Sequence, residues 1–217
     1  MSRERLKTNI LGVRILANAQ KELLSHLAVR EGDRSIGILT TDCDDVSYTA
    51  LDEATKKADV CVAYARSMYA GAKNASTALA GEFIGILAGE SPEAVRSGLE
   101  AAISCIKDDA AFYAANEEGS VVYYAHCISR SGTYLSRKAG IEEGSPMAYL
   151  IAPPLEATVG LDAALKAASV ELKIYYGPPT ETNFAGGLLT GEQSACEAAC
   201  NAFAETVCKI AENPLLY

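Results

Sequence analysis

The sequence contains the same pattern twice. Residues 36–106 predict a strand, a turn, a helix, a strand, a long loop, a strand and a helix, and residues 147–210 predict the same order with a shorter loop. Residues 51–60 align with residues 161–170 at an offset of 110. A duplicated unit gives one chain two similar faces, which suits closed rings and pseudo-symmetric assemblies better than a single enzymatic cleft.

One loop accounts for the difference in length between the repeats. Residues 87–90 align with residues 189–192 at an offset of only 102, eight residues less than in the preceding helix. The extra residues lie in the loop from Met68 to Ala80 of the first repeat. Because the second repeat lacks them, the core of the fold does not require this loop.

Length and composition favour two small α+β domains, which we place at residues 1–110 and 111–217. The chain has 217 residues, of which 49% are apolar, and its net charge is −9. An acidic surface argues against a nucleic-acid partner. The sequence has no long apolar run and no signal peptide, so we expect neither a membrane span nor secretion. Nucleotide-binding and metal-binding motifs are also lacking, and we predict no cofactor and no metal.

The pattern of apolar residues and the helix-start signals predict the following strands and helices. Val60–Arg66 and Glu82–Gly89 are apolar at nearly every position and predict buried strands. Gln20–Leu27 predicts a short helix. Ser91 followed by Pro92 predicts the start of a longer helix, with Ser91 as its N-cap.

Cysteine and histidine residues offer two further candidates for chemistry. Cys196, Cys200 and Cys208 share one face of a predicted helix, but that face is its apolar stripe, so buried core thiols are favoured over a metal site. His126 and Cys127 are adjacent on a predicted strand and therefore point to opposite faces, which argues against a nucleophilic Cys–His pair.

The most distinctive polar segment is the acidic turn Thr41-Asp42-Cys43-Asp44-Asp45. It follows an apolar strand and precedes a helix, whereas the second repeat has an apolar, proline-containing segment at residues 152–156. Two interpretations are open. The carboxylates could serve the turn and cap the helix, or they could form an anionic site for a small amine, with Glu82 opposite.

Five segments resemble a known family. They are Asp42–Tyr48, Leu51–Lys56, Ala65–Ala72, Ala152–Thr158 and Pro178–Asn183. They are similar to the EutL family, the tandem-domain shell proteins of the ethanolamine-utilisation bacterial microcompartment. The resemblance extends from about Leu11 to Pro214.

This resemblance implies an architecture and a role. Each repeat would be a circularly permuted microcompartment shell domain, and the protein would be structural, with no catalytic residues. Three chains would form a homotrimer, a flat pseudohexamer that tiles with other shell proteins in a cytoplasmic microcompartment. A gated central pore would pass metabolites or cofactors, and smaller pores would bind ethanolamine.

The resemblance also implies site residues. The amine site would use Asp44, Asp45, Glu82 and Phe112, and Tyr69 and Asn183 lie in matching motifs. The loop Met68–Ala80 matches the mobile pore loop of the family.

Two other classes of function compete with a shell protein. An enzyme could use Asp44 and Asp45 as an acid–base pair assisted by His126. A soluble α+β module could instead sense a small molecule and regulate a partner.

Overall fold

The computed structural model describes residues 4–68, 79–178 and 180–216. In chain order the helices and strands are β1 (Ile10–Leu16), α1 (Lys21–Leu24), β2 (Ser35–Thr41), α2 (Asp44–Lys57), β3 (Cys61–Ser67), β4 (Phe83–Gly89), α3 (Pro92–Ser104), a π-helical turn (Cys105–Asp109), β5 (Tyr113–Ala114), β6 (Val122–Ile128), α4 (Thr133–Ala139), β7 (Met147–Ala152), α5 (Pro154–Ala167), β8 (Val170–Tyr176), β9 (Ala185–Gly191) and α6 (Gln193–Glu212). The order strand, helix, strand, helix, strand, strand, helix occurs twice, so the predicted duplication of an α+β unit is confirmed.

The chain forms two compact units. The N-terminal unit contains Thr8–Ala110 and Gly132–Arg137, and the C-terminal unit contains the described residues up to Lys7, Ala111–Ser131 and the chain from Lys138 onwards. The short segment Gly132–Arg137 therefore belongs to the unit built by the first repeat, although it lies in the second half of the sequence. The domain bounds 1–110 and 111–217 stay a prediction.

The N-terminal unit has a four-stranded antiparallel sheet in the order β1-β2-β4-β3. Helix α3 packs on this sheet through Val95 and Leu99, two buried members of its apolar stripe. A Cβ atom at Gly37 of β2 would lie 2.5 Å from Val95 Cγ1 and 2.7 Å from Leu99 Cδ1. Glycine thus allows the helix to approach the sheet closely, and the Ser91 hydroxyl caps the helix by accepting a hydrogen bond from the Ala94 N–H at 3.1 Å.

The C-terminal unit has a five-stranded sheet in the order β5-β6-β7-β9-β8. Helices α5 and α6 pack on each other and on the sheet, and Gly160 of α5 lies close to the Phe203 ring. Cys196 and Cys200 are buried in this core, and Cys208 packs against it. The prediction that these three thiols serve the core is confirmed.

Two other expectations can be compared with the structure. The helix predicted at Gln20–Leu27 is α-helical only at Lys21–Leu24, because the His26 and Leu27 N–H groups donate to carbonyls three residues back rather than four. Across the ranges given above, no helix combines the length and apolar character needed to cross a membrane.

Candidate functional site: the acidic turn

The acidic turn is a rigid connection between β2 and α2. Thr41 ends the strand, Cys43 occupies the N-cap position, and Asp44 and Asp45 form the first turn of the helix. The hydroxyl groups of Thr41 and Ser47 lie 2.9 Å and 2.7 Å from the carbonyl oxygen of Cys43. These bonds fix the backbone conformation that presents the two carboxylates.

Asp42 has a structural partner. Its two carboxylate oxygens accept hydrogen bonds from the backbone N–H and the side-chain amide of Asn9, each at 2.7 Å. The Asp42 N–H donates to the Asn9 carbonyl at 3.2 Å. Asp42 therefore ties the start of β1 to the turn, in agreement with its interpretation as a turn residue.

Strand pairing brings Glu82 to the same edge of the sheet. Phe83, the first residue of β4, pairs with Thr41 on one side and with Ser67 on the other. Glu82 precedes Phe83, and its backbone N–H donates to the Thr41 carbonyl at 2.9 Å. Its carbonyl accepts from the Met68 N–H at 2.8 Å. Glu82 is thus held between the acidic turn and the start of the long loop.

Asp44 is buried and hydrogen-bonded, with 8% of its surface exposed. One carboxylate oxygen accepts the backbone N–H of Asp45 at 2.9 Å. The prediction that Asp44 or Asp45 is the helix cap is wrong, because Cys43 occupies the N-cap position and both aspartates lie inside the first turn. The Ser67 side chain also hydrogen-bonds to Asp44. Because a carboxylate only accepts, Ser67 directs its proton to Asp44, and the Tyr48 hydroxyl, 3.0 Å away, donates to Ser67.

The electrostatics of this cluster favour a cation. Burial raises the pKa of Asp44 above its usual value, despite the hydrogen bonds from Ser67 and Asp45. Burial also raises the pKa of Glu82, and the negative charges of Asp44 and Asp42 raise it further. In the part of the chain that the structure describes, neither Asp44 nor Glu82 forms an ion pair with lysine or arginine.

Aromatic side chains border the cluster. The Tyr48 ring meets the Phe83 ring edge-on at 4.9 Å between centroids, and it stacks on the Tyr134 ring at 6.2 Å. Tyr134 belongs to the segment that joins this unit from the second half of the sequence. The site therefore combines carboxylates, hydroxyl groups and apolar ring surface, which suits a small cation that carries a hydroxyl group.

Three other predicted site residues fall outside the described part of the N-terminal unit. Phe112 and Asn183 belong to the C-terminal unit. The Phe112 ring contacts the rings of Tyr124 at 5.3 Å and Phe184 at 5.9 Å. Asn183 is exposed and has a positive φ of 63° in a tight turn. Their participation in the amine site stays a prediction, and Tyr69 lies outside the described residues.

Sequence analysis overlooked two members of the cluster, Ser67 and Tyr134. Ser67 ends the observed strand β3, one residue beyond the predicted strand Val60–Arg66. It lies in the segment Ala65–Ala72 that resembles the family, but that segment did not identify it as a site residue. Only the pairing of β3 with β4 places its hydroxyl beside the acidic turn. Tyr134 lies 86 residues after Tyr48, and no local pattern joins them.

Comparisons with known proteins agree with this fold. A family described as the BMC domain matches residues 35–129. The chain is similar to the bacterial microcompartment shell protein EutL of Clostridium perfringens, with 60% identity over 99% of each chain. It is also similar to EutL of Escherichia coli, with 48% identity over 97% of this chain and 96% of that protein. The crystal structure of the ethanolamine utilization protein EutL from Leptotrichia buccalis superposes with a TM-score of 0.96, at 62% identity and full coverage of both chains.

Proposed function

Because the chain belongs to the EutL family of bacterial microcompartment shell proteins, we propose that it assembles as a homotrimer whose acidic turn binds ethanolamine. Membership in the family confirms the resemblance read from the sequence, including the tandem shell-domain fold. The protein is a structural component of the ethanolamine-utilisation microcompartment shell rather than an enzyme, and it associates there with other shell proteins.

One observation carries the ligand proposal: Asp44 and Glu82 lie close enough for the charge of Asp44 to raise the pKa of Glu82, and neither forms an ion pair with lysine or arginine among the described residues. Protonated ethanolamine offers an ammonium group to the carboxylates and a hydroxyl group to a second polar partner. Charge-assisted hydrogen bonds of this kind are roughly twice as strong as neutral ones. The partly buried position strengthens them further, since water screens them less.

The duplication supports the trimer and its pore. Three chains with two similar domains each would place six domains around one axis and so reproduce the edges of a hexagonal tile. The loop Met68–Ala80, which the second repeat lacks, would gate the central opening. Its first residue, Met68, is bonded to the Glu82 carbonyl, so ligand binding at Glu82 would act at the base of this loop.

Calorimetric titration with ethanolamine tests the site. We expect the Asp44→Asn/Asp45→Asn variant and the Glu82→Gln variant to bind at least about tenfold more weakly, because each lost charge-assisted bond is worth about 1.5–3 kcal/mol. Glu117→Gln, which neutralises an exposed carboxylate in the 116–120 loop, is the matched control and should bind normally. Unchanged affinity in both site variants would show that the acidic turn only caps the helix.

A further inference from the structure

Helix α2 carries a further buried carboxylate beyond the acidic turn. Asp52 is fully buried, and its two oxygens accept the N–H groups of Gly132 and Leu135 at 2.6 Å and 2.8 Å. One turn later, the Thr55 hydroxyl accepts the N–H of Thr133 at 3.1 Å. We call these three hydrogen bonds the Asp52 clasp. They hold a distant piece of the chain against the helix that presents the acidic turn.

The clasp brings the two backbones into close contact. A Cβ atom at Gly132 would lie 2.4 Å from Thr55 Oγ1 and 2.5 Å from the Asp52 carbonyl oxygen, so glycine is needed for this approach. The Thr55 hydroxyl also donates to the Asp52 carbonyl at 2.8 Å. Leu135 is fully buried. The clasp therefore fixes the position of Tyr134, which lies between its donors in the sequence.

Tyr134 connects the clasp to the amine site. Its ring stacks on the Tyr48 ring, with 6.2 Å between centroids and an interplanar angle of 15°. Phe83 meets the same Tyr48 ring at 4.9 Å and 81°. The orientation of Tyr48 thus depends on two aromatic neighbours. Its hydroxyl donates to Ser67, which in turn donates to Asp44.

The second repeat uses the position of Asp52 differently. Its equivalent at the offset of 110 residues is Asp162, whose side chain is 62% exposed within one chain and pairs with Lys166 at 2.6 Å. Leu165 stands at the position of Thr55. Helix α5 nevertheless packs in its unit as α2 does, so the fold does not require a clasp at this helix. The clasp occurs in the repeat that carries the acidic turn.

We propose that Asp52 is a positioning residue of the ethanolamine site and acts on Asp44 through the segment that it holds. The clasp fixes Tyr134, and the Tyr134 ring packs on the face of Tyr48. The Tyr48 hydroxyl then sets the direction in which Ser67 donates to Asp44. A ligand therefore meets a carboxylate that is already ordered, and less affinity is lost to ordering it. This inference rests on the proposed binding of ethanolamine at the acidic turn.

Calorimetric titration of the full chain with ethanolamine tests this role. Asp52→Asn can accept one of the two N–H groups but not the other. We expect it to bind about two- to tenfold more weakly, the range for loss of one aromatic contact. Gly132→Ala opens the clasp from its other side and should have the same effect. Val95→Ala, at a buried position on α3, is the matched control, which should lower stability but leave the affinity unchanged.

A double-mutant cycle separates positioning from general destabilisation. Once Tyr134→Ala has removed the ring, we expect Asp52→Asn to cause no further loss of affinity, because both changes act on the same contact. Additive losses, an equal loss in Val95→Ala, or wild-type affinity in Asp52→Asn or Gly132→Ala would overturn the positioning role. If the acidic-turn variant alone loses binding, the ethanolamine site itself stands. A wild-type chain that does not bind ethanolamine would overturn the proposed function, and the positioning role with it.

Discussion

The hydroxyl groups of Tyr48 and Ser67 lie 3.0 Å apart, and together they form a relay of hydrogen bonds that ends on the carboxylate of Asp44. Tyr48 comes from helix α2 and Ser67 from the end of β3. The helix therefore brings both the carboxylate and the group that orients its hydrogen-bond donor. In the proposed site, the remaining lone pairs of this buried carboxylate would accept hydrogen bonds from the ammonium group of the ligand.

Removing the middle of this relay should weaken the site. Ser67→Ala removes a hydrogen bond that stabilises the ionised form of Asp44. We therefore expect the pKa of Asp44 to rise further and its carboxylate to be less well fixed. We expect ethanolamine affinity to fall about tenfold, in line with about 1.5 kcal/mol for a hydrogen bond to a charged group. Calorimetry gives the affinity, with Ser104→Ala on α3 as the control. Equal affinity for Ser67→Ala and wild type would remove Ser67 from the site.

Ethanolamine binding should weaken on acidification at a higher pH than for ordinary carboxylates. Asp44 and Glu82 must be ionised to attract the ammonium group, and burial raises the pKa of both. An aliphatic amine stays protonated throughout this range, since its pKa is near that of lysine, about 10.4. Affinity measured from pH 7 downwards should therefore decline before the usual carboxylate range near pH 4 is reached. A constant affinity down to pH 4 would contradict this role of the two carboxylates.

Ionisation of Asp44 should lower the stability of the ligand-free protein, although the proposed binding of the ligand requires the ionised form. Since the folded-state pKa of Asp44 is raised, its contribution to folding is most favourable below the unfolded pKa of about 3.9 and is lost as the pH rises through the folded pKa. Asp44→Asn should therefore gain stability relative to wild type on going from pH 4 to pH 7, by up to about 1.4 kcal/mol for each unit of raised pKa. Urea unfolding at both pH values measures this difference. A difference that does not change with pH would show that Asp44 titrates normally.

Asp52 should matter for stability far more than a surface aspartate. Its carboxylate is fully buried and accepts the backbone N–H groups of Gly132 and Leu135. Asp52→Ala leaves both donors without their acceptor, which should lower the free energy of unfolding by about 2–4 kcal/mol. Asp59→Ala, at an exposed ion pair with Arg30, should cost less than about 1 kcal/mol. Similar losses for the two variants in chemical denaturation would argue against the structural role of Asp52.

The loop Met68–Ala80 should respond to the ligand if it gates the pore. A ligand shifts a two-state equilibrium only when it binds one state better, by about 1.4 kcal/mol for each tenfold change in population. We expect amide hydrogen exchange across residues 68–80 to slow when ethanolamine is added. The Glu82→Gln variant serves as the control and should show no slowing. Exchange in wild type that ignores the ligand would exclude gating by this site.

Local sequence patterns were sufficient to predict the duplication and the main helices and strands. The apolar stripe of α3, its cap at Ser91 and the buried thiols of Cys196 and Cys200 follow from helical periodicity and from residues close together in the chain. The acidic turn was recognisable because its carboxylates are adjacent. The assignment of the protein to a family depended on whole motifs, which lie in continuous segments of the sequence.

The contacts of the site were decided by tertiary structure. Asp42 and Asp44 are two residues apart, yet one is engaged by Asn9 and the other by Ser67, and only the pairing of distant strands determines this. Asp52 and Asp162 align perfectly as sequence, but one is buried under the segment Gly132–Arg137 and the other is exposed. Alignment of the two repeats identifies equivalent residues, because it depends only on neighbouring residues in the sequence. Their environments differ because the backbone of Gly132 and Leu135, more than 75 residues further along the chain, packs on Asp52.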